Sequence, residues 1–553
     1  MPQAASAGRP IMNEPALDEA APRISANAGR ERDRLAAAAR HAATNLEVRG
    51  VVCVACTFVD NSGITRMKGV PVGRLDAAVV WGVGASPVFD AFGVDDGIIA
   101  GRVAGGPVGD LRLHPDLERL TALAAQPGWA WAPVDRRDQS GVPHPQDARE
   151  LVRVEAARLA ERGLGVAMAF EIEWAVAPAG SDGFAPAARG PAYGMARVAE
   201  LGDYLRDVVT ALTEEGLVVE QIHPEYAAGQ FEVSVAAQDP LGAADTCVLV
   251  KETVRGVSGR HGLRASFAPK VLADGVGNGG HVHLSLWGED GDGPSRPAPS
   301  GRAGAAVTGG VPAVPPPGLS ALGGAPGTAA NGASGLGGYG PGTGAGGAAP
   351  GAGLTGGGRV NLMGGGDGPA GLTATGEAFA AGIFARLPAL MALGAPSVAS
   401  YLRLVPSQWA SAYACWGLEN REAALRMIPG PPAAAGRAAN LEIKCFDLAA
   451  NPYLVVAGLL AAGHAGLVDQ ARLPPPVDVD PASLDPAERA RRGIARLPTD
   501  LGAAVAAFAA DDVLRRACGP ALHDTVATVR RAEIDRFAGA DPAAIVAATR
   551  WRY

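Results

Sequence analysis

Two histidines and a serine alternate along one short segment, in a pattern that is typical of a ligand-binding strand. Residues 276–287 open with a glycine loop and continue so that His281, His283 and Ser285 share one face. Glycines such as Gly279 let a backbone approach a ligand closely. The pattern indicates a metal and phosphate site, although a hairpin with polar residues facing water would show it too.

Carboxylates interrupt three other strand-like segments that are otherwise apolar. They are Glu171 and Glu173, which lie two apart and hence on one face, Glu232 with Glu225 just before its strand, and Glu442. A sheet with one solvated face would explain any one of these strands. Burying an ionised carboxylate without a partner is costly, so acids from several strands on one concave face require cations among them.

The ligand types indicate which cations and which chemistry to expect. Carboxylate oxygens favour Mg²⁺ or Mn²⁺ over a structural zinc. Two such ions that bridge the phosphates of a nucleotide are a common arrangement for phosphoryl transfer. Arg403, Arg421 and Arg426 lie in or beside apolar runs, where guanidinium groups can clamp carboxylate and phosphate oxygens.

Composition and charge exclude several classes of protein. The net charge of −8 leaves no basic stripe to follow a phosphate backbone, so no nucleic-acid partner is expected. The 6 cysteines are scattered, which suits reduced thiols in a cytoplasm. Residues 1–30 lack the apolar core of a signal peptide, and the longest apolar helix candidate, residues 453–467, is shorter than the ~20 residues that span a bilayer. We therefore expect a cytoplasmic protein without a membrane partner.

The elements that must position these residues divide the chain unevenly. Residues 1–46 are predicted to form a disordered tail and an N-terminal helix. Short strands and turn signals in residues 47–140 predict a small α+β domain, and residues 145–553 predict a larger second domain. Residues 289–371 consist largely of Gly, Ala and Pro, which predicts a disordered insertion. It interrupts one domain, because candidate site residues lie on both sides of it.

Several motifs, in this order and spacing, resemble those of the glutamine synthetase family over nearly the whole chain. The motifs are Phe170-Glu171-Ile172-Glu173, Pro224-Glu225 with Gly229-Gln230-Phe231-Glu232, Asn278-Gly279-Gly280-His281-Val282-His283, Tyr401-Leu402-Arg403-Leu404-Val405-Pro406, Asn420-Arg421, and Leu441-Glu442 followed by Asn451-Pro452-Tyr453-Leu454. The resemblance implies an α+β fold, with an N-terminal β-grasp domain and a catalytic domain built on a curved antiparallel sheet with flanking helices. It also implies a homo-oligomeric ring, commonly a dodecamer, whose active sites are shared between subunits.

The resemblance implies a role for each candidate residue. One metal ion would be held by Glu173, Glu225 and Glu232, and the other by Glu171, His281 and Glu442. His283 and Ser285 would contact the nucleotide and Arg426 a phosphate, Arg403 the α-carboxylate of the substrate, and Arg421 the transferred phosphoryl group, with Asn278, Gly279, Trp409 and Lys444 also in the substrate site. In the implied reaction ATP phosphorylates the γ-carboxylate of glutamate, and an amine then displaces phosphate to leave an amide.

Three departures from the family pattern concern the acceptor side and the nucleotide and phosphate end. Members that make glutamine carry a glutamate six residues after the equivalent of Arg403, and here that residue is Trp409. Asn440 and Lys444 replace two arginines. The ammonium-binding aspartate is not evident in its usual motif, although Asp90 or Asp95 stands nearby.

These departures indicate a carbon-bearing acceptor. A neutral indole cannot act as a base or attract a small cation, but it can line a pocket for an amine that carries carbon. The sequence therefore predicts an ATP-dependent carboxylate–amine ligase that forms a γ-glutamyl amide from glutamate and an amine, closest in pattern to the γ-glutamylpolyamine-type branch. A glutamine synthetase that uses another base, and a non-catalytic member with an assembly or regulatory role, are the alternatives.

Overall fold

A computed structural model describes the chain at residues 26–101, 109–180, 182–289, 358–431 and 435–553. The N-terminal helix, α1, runs over Ala26–Val48 and so ends two residues beyond the predicted segment of residues 1–46. Residues 1–25 and 290–357, which carry most of the predicted disordered segments, lie outside the described ranges.

A six-stranded mixed sheet forms the first domain. Its strands are β1 (Cys53–Val59), β2 (Thr65–Pro71), β3 (Val83–Ala85), β4 (Leu111–Pro115), β5 (Thr121–Ala122) and β6 (Trp129–Arg137). The order is β2-β1-β6-β4-β3, with β5 also on β6, and β1 runs parallel to β6. Helices α1 and α2 (Leu75–Trp81) contribute Leu46 and Leu75 to its core. This arrangement agrees with the predicted β-grasp domain.

A ten-stranded sheet organises the second domain. Its strands are β7 (Gly165–Pro178), β8 (Val219–Pro224), β9 (Gln230–Val235), β10 (Leu263–Ser266), β11 (Gly280–Glu289), β12 (Arg359–Asn361), β13 (Tyr413–Leu418), β14 (Ala423–Ile428), β15 (Asn440–Ile443) and β16 (Ala495–Arg496). The order is β16-β13-β14-β15-β11-β7-β9-β8, with β10 on β7 and β12 on β11. All pairs are antiparallel except β13 with β14. The strands that carry the candidate ligands follow one another in this order as β15-β11-β7-β9-β8.

Helices flank this sheet, as the α+β class requires. They are α3 (Ala148–Ala160), α4 (Met195–Glu214), α5 (Pro240–Arg260), α6 (Ala374–Gly394), α7 (Ser400–Arg403), α8 (Ala435–Ala438), α9 (Pro452–Asp469), α10 (Pro486–Arg491), α11 (Leu501–Ala510), α12 (Asp512–Arg536, kinked at Gly519) and α13 (Pro542–Thr549). The Asn451 side chain caps α9 by accepting from the N–H groups of Tyr453 and Leu454. Helices α6 and α9 have the length and hydropathy of a membrane span, but 78% and 72% of their apolar windows are buried inside the protein. They pack as a central pair in its core.

The end of the predicted insertion is corrected by the structure. Residues 358–371 were expected to be disordered, yet β12 pairs with β11 so that Glu289 and Arg359 are direct partners. Leu362 and Met363 are buried, and the Asn361 side chain donates to the Ala439 carbonyl at 2.7 Å. A few apolar and amide groups within a glycine-rich composition are enough to close this hairpin.

Candidate active site

Strand register brings the candidate acids and histidines to one face of the large sheet. Glu171 of β7 lies directly opposite His281 of β11, and Glu173 lies opposite Glu232 of β9. On the other side of β11, His283 lies opposite Glu442 of β15. Directly paired residues point to the same face of a sheet, so the six side chains converge.

The first group consists of Glu171, His281 and Glu442. One ligand atom from each lies within 4.8 Å of the other two. The Nδ1 atom of His281 is 3.2 Å from Glu171 Oε1 and 3.4 Å from Glu442 Oε1. Burial, reinforced by the positive charge of Lys444, lowers the pKa of His281 to about 4. The imidazole is therefore neutral near pH 7 and free to ligate a cation.

Two further groups of possible ligands share Glu232, and one of them also contains Glu171 of the first group. One group is His223, Glu225 and Glu232, and the other is Glu171, Glu173 and Glu232. Among the described residues, the expected trio of Glu173, Glu225 and Glu232 is therefore split between two overlapping groups.

His223 is the residue that the sequence reasoning missed. Its Nε2 atom is 3.1 Å from Glu232 Oε1, and its Nδ1 atom is 3.6 Å from Glu225 Oε1. The available signal was its position in β8, two residues before Glu225, which places both side chains on one side of an extended segment.

The electrostatics of the cluster fit a site for cations. Burial and the neighbouring charge of Glu225 raise the pKa of Glu173 to about 7. Burial and the charge of Glu171 likewise raise the pKa of Glu232 far above its ordinary value. These carboxylates cannot all be ionised together unless positive charge lies among them. Carboxylate oxygens with neutral imidazole nitrogens are a donor set that suits divalent cations.

Arg403 offers a free donor beside this cluster. The side chain is buried, with Nη2 3.2 Å from His281 Nε2 and donating to the Lys444 carbonyl at 3.0 Å. Its Nη1 atom is buried and has no hydrogen-bond partner among the described residues. An unpaired buried guanidinium nitrogen is costly, so this geometry favours an anionic ligand at that point.

Two cationic side chains hold Glu442. Lys444 Nζ donates to Glu442 Oε1 at 2.9 Å, and Arg426 Nη1 donates to Glu442 Oε2 at 3.1 Å. Burial opposes ionisation of Glu442, but the neighbouring positive charge of Lys444 outweighs it, and the pKa of Glu442 falls to about 2. Arg426 also pairs with Glu419, so both ends of its guanidinium group are engaged within the chain.

The glycine loop that precedes β11 closes the site from one side. The Gly279 N–H donates to Glu173 Oε2 at 2.8 Å. A Cβ atom on Gly279 would lie 2.5 Å from His281 Nε2 and 2.6 Å from Glu173 Oε1, so any larger residue would displace one of these two side chains. The Asn278 amide accepts from Gln230 at 3.0 Å and donates to the Ala268 carbonyl at 2.9 Å. It holds the loop in shape, and a direct contact with substrate stays a prediction.

A cavity of about 570 Å³ opens on the other side of the cluster. His283, Ser285, Glu171 and Asn440 line it. His283 Nε2 is 2.9 Å from Glu171 Oε2, and its Nδ1 is 3.0 Å from Asn440 Oδ1. The Ser285 hydroxyl accepts from the Trp287 indole at 2.8 Å. The volume is in the range of ligand pockets, and it contacts both residues expected to bind the nucleotide.

Trp409 lies on a loop at the edge of β13, with 55% of its surface exposed. The guanidinium carbon of Arg421 is 6.0 Å from the centre of its ring, so these two predicted residues are adjacent. Of the aspartates considered for ammonium binding, Asp90 is buried in an ion pair with Arg136 at 2.6 Å. Asp95 pairs with Arg536 at 2.5 Å, so both aspartates are engaged within the chain.

Comparison with known proteins identifies the family. The family model of the glutamine synthetase catalytic domain matches residues 145–303 and 353–544. The chain belongs to the glutamine synthetase family. The match leaves out most of the glycine-rich insertion, which agrees with a family fold interrupted by an added segment.

Relatives and solved structures agree with this assignment. The chain is 48% identical to the gamma-glutamylpolyamine synthetase GlnA3 of Streptomyces coelicolor, over 91% of this chain and 94% of that protein. It is 26% identical to the glutamine synthetase of Halobacterium salinarum, over 89% and 92%. A crystal structure of a novel glutamine synthase homolog superposes with a TM-score of 0.70 at 30% identity, over 91% of this chain and 99% of that one. An ADP complex of GmaS gives a TM-score of 0.67 at 26% identity, over 90% and 96%.

These findings confirm the predicted family, the fold class and an ATP-dependent γ-glutamyl–amine ligase. ATP and divalent metals are typical of the family. The residue-by-residue roles in the site rest on the motifs and on the geometry of the cluster.

Proposed function

We propose that the chain joins glutamate to a di- or polyamine, using ATP and Mg²⁺ or Mn²⁺, to form a γ-glutamyl amide. One observation carries the proposal. The acids and histidines that the resemblance assigns to two cations converge around Glu171 and Glu232, while Trp409 stands where glutamine producers have a glutamate. Similarity to a gamma-glutamylpolyamine synthetase supports an amine of this class.

Each of the two cations would be bound by a different set of side chains. Glu171, His281 and Glu442 would hold one ion, and Glu173, Glu225 and Glu232 would hold the other, with His223 as an additional ligand beside Glu232. The bound ions would neutralise phosphate charge and orient the transferred group. Glu232 lies in both of the overlapping groups that surround the second ion, so its loss should weaken the binding of that ion most.

The other residues would bind and align the substrates. Nη1 of Arg403 would receive the α-carboxylate of glutamate, since it is a buried donor beside the cluster that has no partner among the described residues. His283 and Ser285 would contact the nucleotide in the cavity of about 570 Å³. Arg421, exposed beside Trp409, would contact the transferred phosphoryl group, and Lys444 would keep Glu442 ionised in the site.

The reaction balances in two steps. The γ-phosphoryl group of ATP passes to a γ-carboxylate oxygen of glutamate, and ADP leaves. The nitrogen of the neutral amine then bonds the γ-carbon, and the carbon–oxygen bond to phosphate breaks. The nitrogen gives up one proton, which the departing phosphate accepts, so that the products are the amide and hydrogen phosphate. Trp409 contributes an apolar wall there and no proton acceptor.

We also propose a cytoplasmic location and a homo-oligomeric ring, a dodecamer by resemblance. All six cysteines lie in the described part of the chain and are free, and five of them are buried, which suits a reducing compartment. Analytical ultracentrifugation tests the assembly, and a monomer at micromolar concentration would contradict it.

The acceptor preference is the experiment that tests the function. ADP release is measured with glutamate and a panel of ammonium, ethanolamine, 1,4-diaminobutane and spermidine, and the product mass is checked. We expect kcat/KM for a di- or polyamine to exceed that for ammonium by at least about tenfold, or ~1.4 kcal/mol. A preference for ammonium would favour a glutamine synthetase, and no ADP with any amine would favour a non-catalytic member.

A further inference from the structure

We propose that Glu422 is a positioning residue that fixes the loop carrying Trp409, and through that loop sets the choice of amine. The proposal rests on the proposed function, because it concerns the acceptor side of the same site. Glu422 belongs to none of the cation-binding groups described above, and it directly follows Arg421.

The loop between α7 and β13 has a backbone that needs to be held. Ser407, Trp409 and Ser411 have φ values of 57°, 54° and 57°, in the left-handed region. This conformation is sterically unfavourable for a residue that carries a Cβ atom. Three such residues within five positions persist only where surrounding contacts over-determine the backbone.

Glu422 supplies the central contact. Its Oε1 atom accepts from the Trp409 N–H at 2.6 Å, at the middle of the three left-handed residues. Glu422 is buried, with 7% of the residue's surface exposed. A carboxyl oxygen in such a water-excluded position is a good acceptor for a backbone amide. Burial raises the pKa of Glu422, while the backbone bond from Trp409 and the charge of Lys444 oppose that rise.

Other contacts of the loop lie nearer its ends. The Ser407 hydroxyl donates to Asp480 Oδ2 at 2.7 Å on the exposed side. The Ser411 hydroxyl donates to the Arg421 carbonyl at 3.3 Å. Neither contact reaches the Trp409 N–H, so Glu422 holds the backbone from which the indole projects.

Glu422 is itself held rigidly. Its N–H donates to Asn420 Oδ1 at 3.0 Å, and the Asn420 amide donates to the Val477 carbonyl at 2.8 Å. Glu422 also lies within electrostatic reach of Lys444, which bonds Glu442 in the cation cluster. The residue therefore ties the acceptor loop to the same framework that holds the metal ligands.

Two substitutions separate positioning from direct charge recognition of the amine. Glu422→Gln keeps an oxygen that can accept from the Trp409 N–H, whereas Glu422→Ala removes it. Glu215 provides matched controls, since it is a buried carboxylate that accepts from the Ala124 N–H at 3.0 Å and belongs to none of the site groups. The variants are Glu215→Gln and Glu215→Ala.

The readouts are the ratio of kcat/KM for 1,4-diaminobutane to that for hydroxylamine, and the rate of chymotryptic cleavage after Trp409, located by mass spectrometry. Hydroxylamine is small and needs no apolar wall. We expect Glu422→Ala to lower the ratio by about tenfold and to speed cleavage, while Glu422→Gln stays within about threefold of wild type. The Glu215 variants should change neither readout.

Two results would overturn the proposal. The first is that Glu422→Ala has the same kcat/KM ratio and the same cleavage rate as the wild-type protein. The second is that the kcat/KM ratio of Glu422→Gln is as low as that of Glu422→Ala, which would mean that the charge of Glu422 contacts the amine directly. If the wild-type protein releases no ADP with any amine, the proposed function fails. The cleavage rates then still decide whether Glu422 holds the loop.

Discussion

Gly279→Ala should inactivate the protein while leaving it folded, because the new methyl group falls between two candidate metal ligands. The added Cβ would lie 2.5 Å from His281 Nε2 and 2.6 Å from Glu173 Oε1. Ordinary contact distances begin near 3.4 Å, so His281 or Glu173 must move by roughly 1 Å. The φ angle of Gly279 is not in the left-handed region, so the substitution tests space and not backbone conformation.

The magnitudes follow from that displacement. Overpacking a close-packed site typically costs about 1–3 kcal/mol in the free energy of unfolding. A misplacement of about 1 Å in a catalytic arrangement can lower the rate by about 10²-fold. We therefore expect a modest fall in Tm together with a loss of ADP release of about a hundredfold, and weaker binding of Mn²⁺.

The assay compares Gly279→Ala with Gly73→Ala, a control whose Cβ meets nothing within 4 Å. Thermal unfolding is followed with and without Mn²⁺, and ADP release is measured with glutamate and an amine. Wild-type turnover in Gly279→Ala would refute the convergence of His281 and Glu173 on one cation site. Loss of the folded state in Gly279→Ala would show that the overlap costs far more than we have reasoned.

Three further predictions concern charge, pH and the insertion. Glu232→Gln should abolish turnover and reduce the rise in Tm that Mg²⁺ or Mn²⁺ produces, because Glu232 belongs to two of the three groups of possible ligands. An unchanged rise in Tm, measured by calorimetry, would contradict this prediction. Burial raises the pKa of Glu215 from 4.5 to about 7, so its protonated form contributes stability that is complete below pH 4.5 and lost as the pH rises through 7. Glu215→Gln should thus stabilise the protein at pH 8 by about 3 kcal/mol and have little effect at pH 4, as denaturant titrations at both pH values would show. Replacing residues 291–356 by a five-residue glycine–serine loop should preserve activity and assembly. Glu289 and Arg359 are direct partners on neighbouring strands, so a short loop can connect the two strands. Loss of the assembly in size-exclusion chromatography would assign the segment a structural role.

Local patterns predicted much of the fold and of the site. The alternation in residues 280–287 places His281, His283 and Ser285 on one face of β11, as expected. The spacing of Glu171 and Glu173 did the same for β7. Both predictions succeed because the two-residue period of a strand is a property of neighbouring residues alone.

Several features escaped this reasoning for physical reasons. His223 belongs to the site through its distance to Glu232, which lies on the neighbouring strand. In the sequence, Glu422 is an ordinary acid that precedes an apolar strand. Its hydrogen bond from the Trp409 N–H is visible only in the structure. The strand Arg359–Asn361 sits in a glycine-rich composition, and only its pairing with β11 reveals it.

The sequence by itself determined the family, the α+β class, the faces on which the acids and histidines lie, and the absence of a glutamate at Trp409. Only the tertiary structure decided which acids share a cation group, that Arg403 keeps a free buried donor, and that Glu442 lies between Lys444 and Arg426. The reason is the order β15-β11-β7-β9, which joins segments far apart in the chain. Alternation reports the face of a strand, but the identity of its neighbour depends on contacts that no local pattern contains.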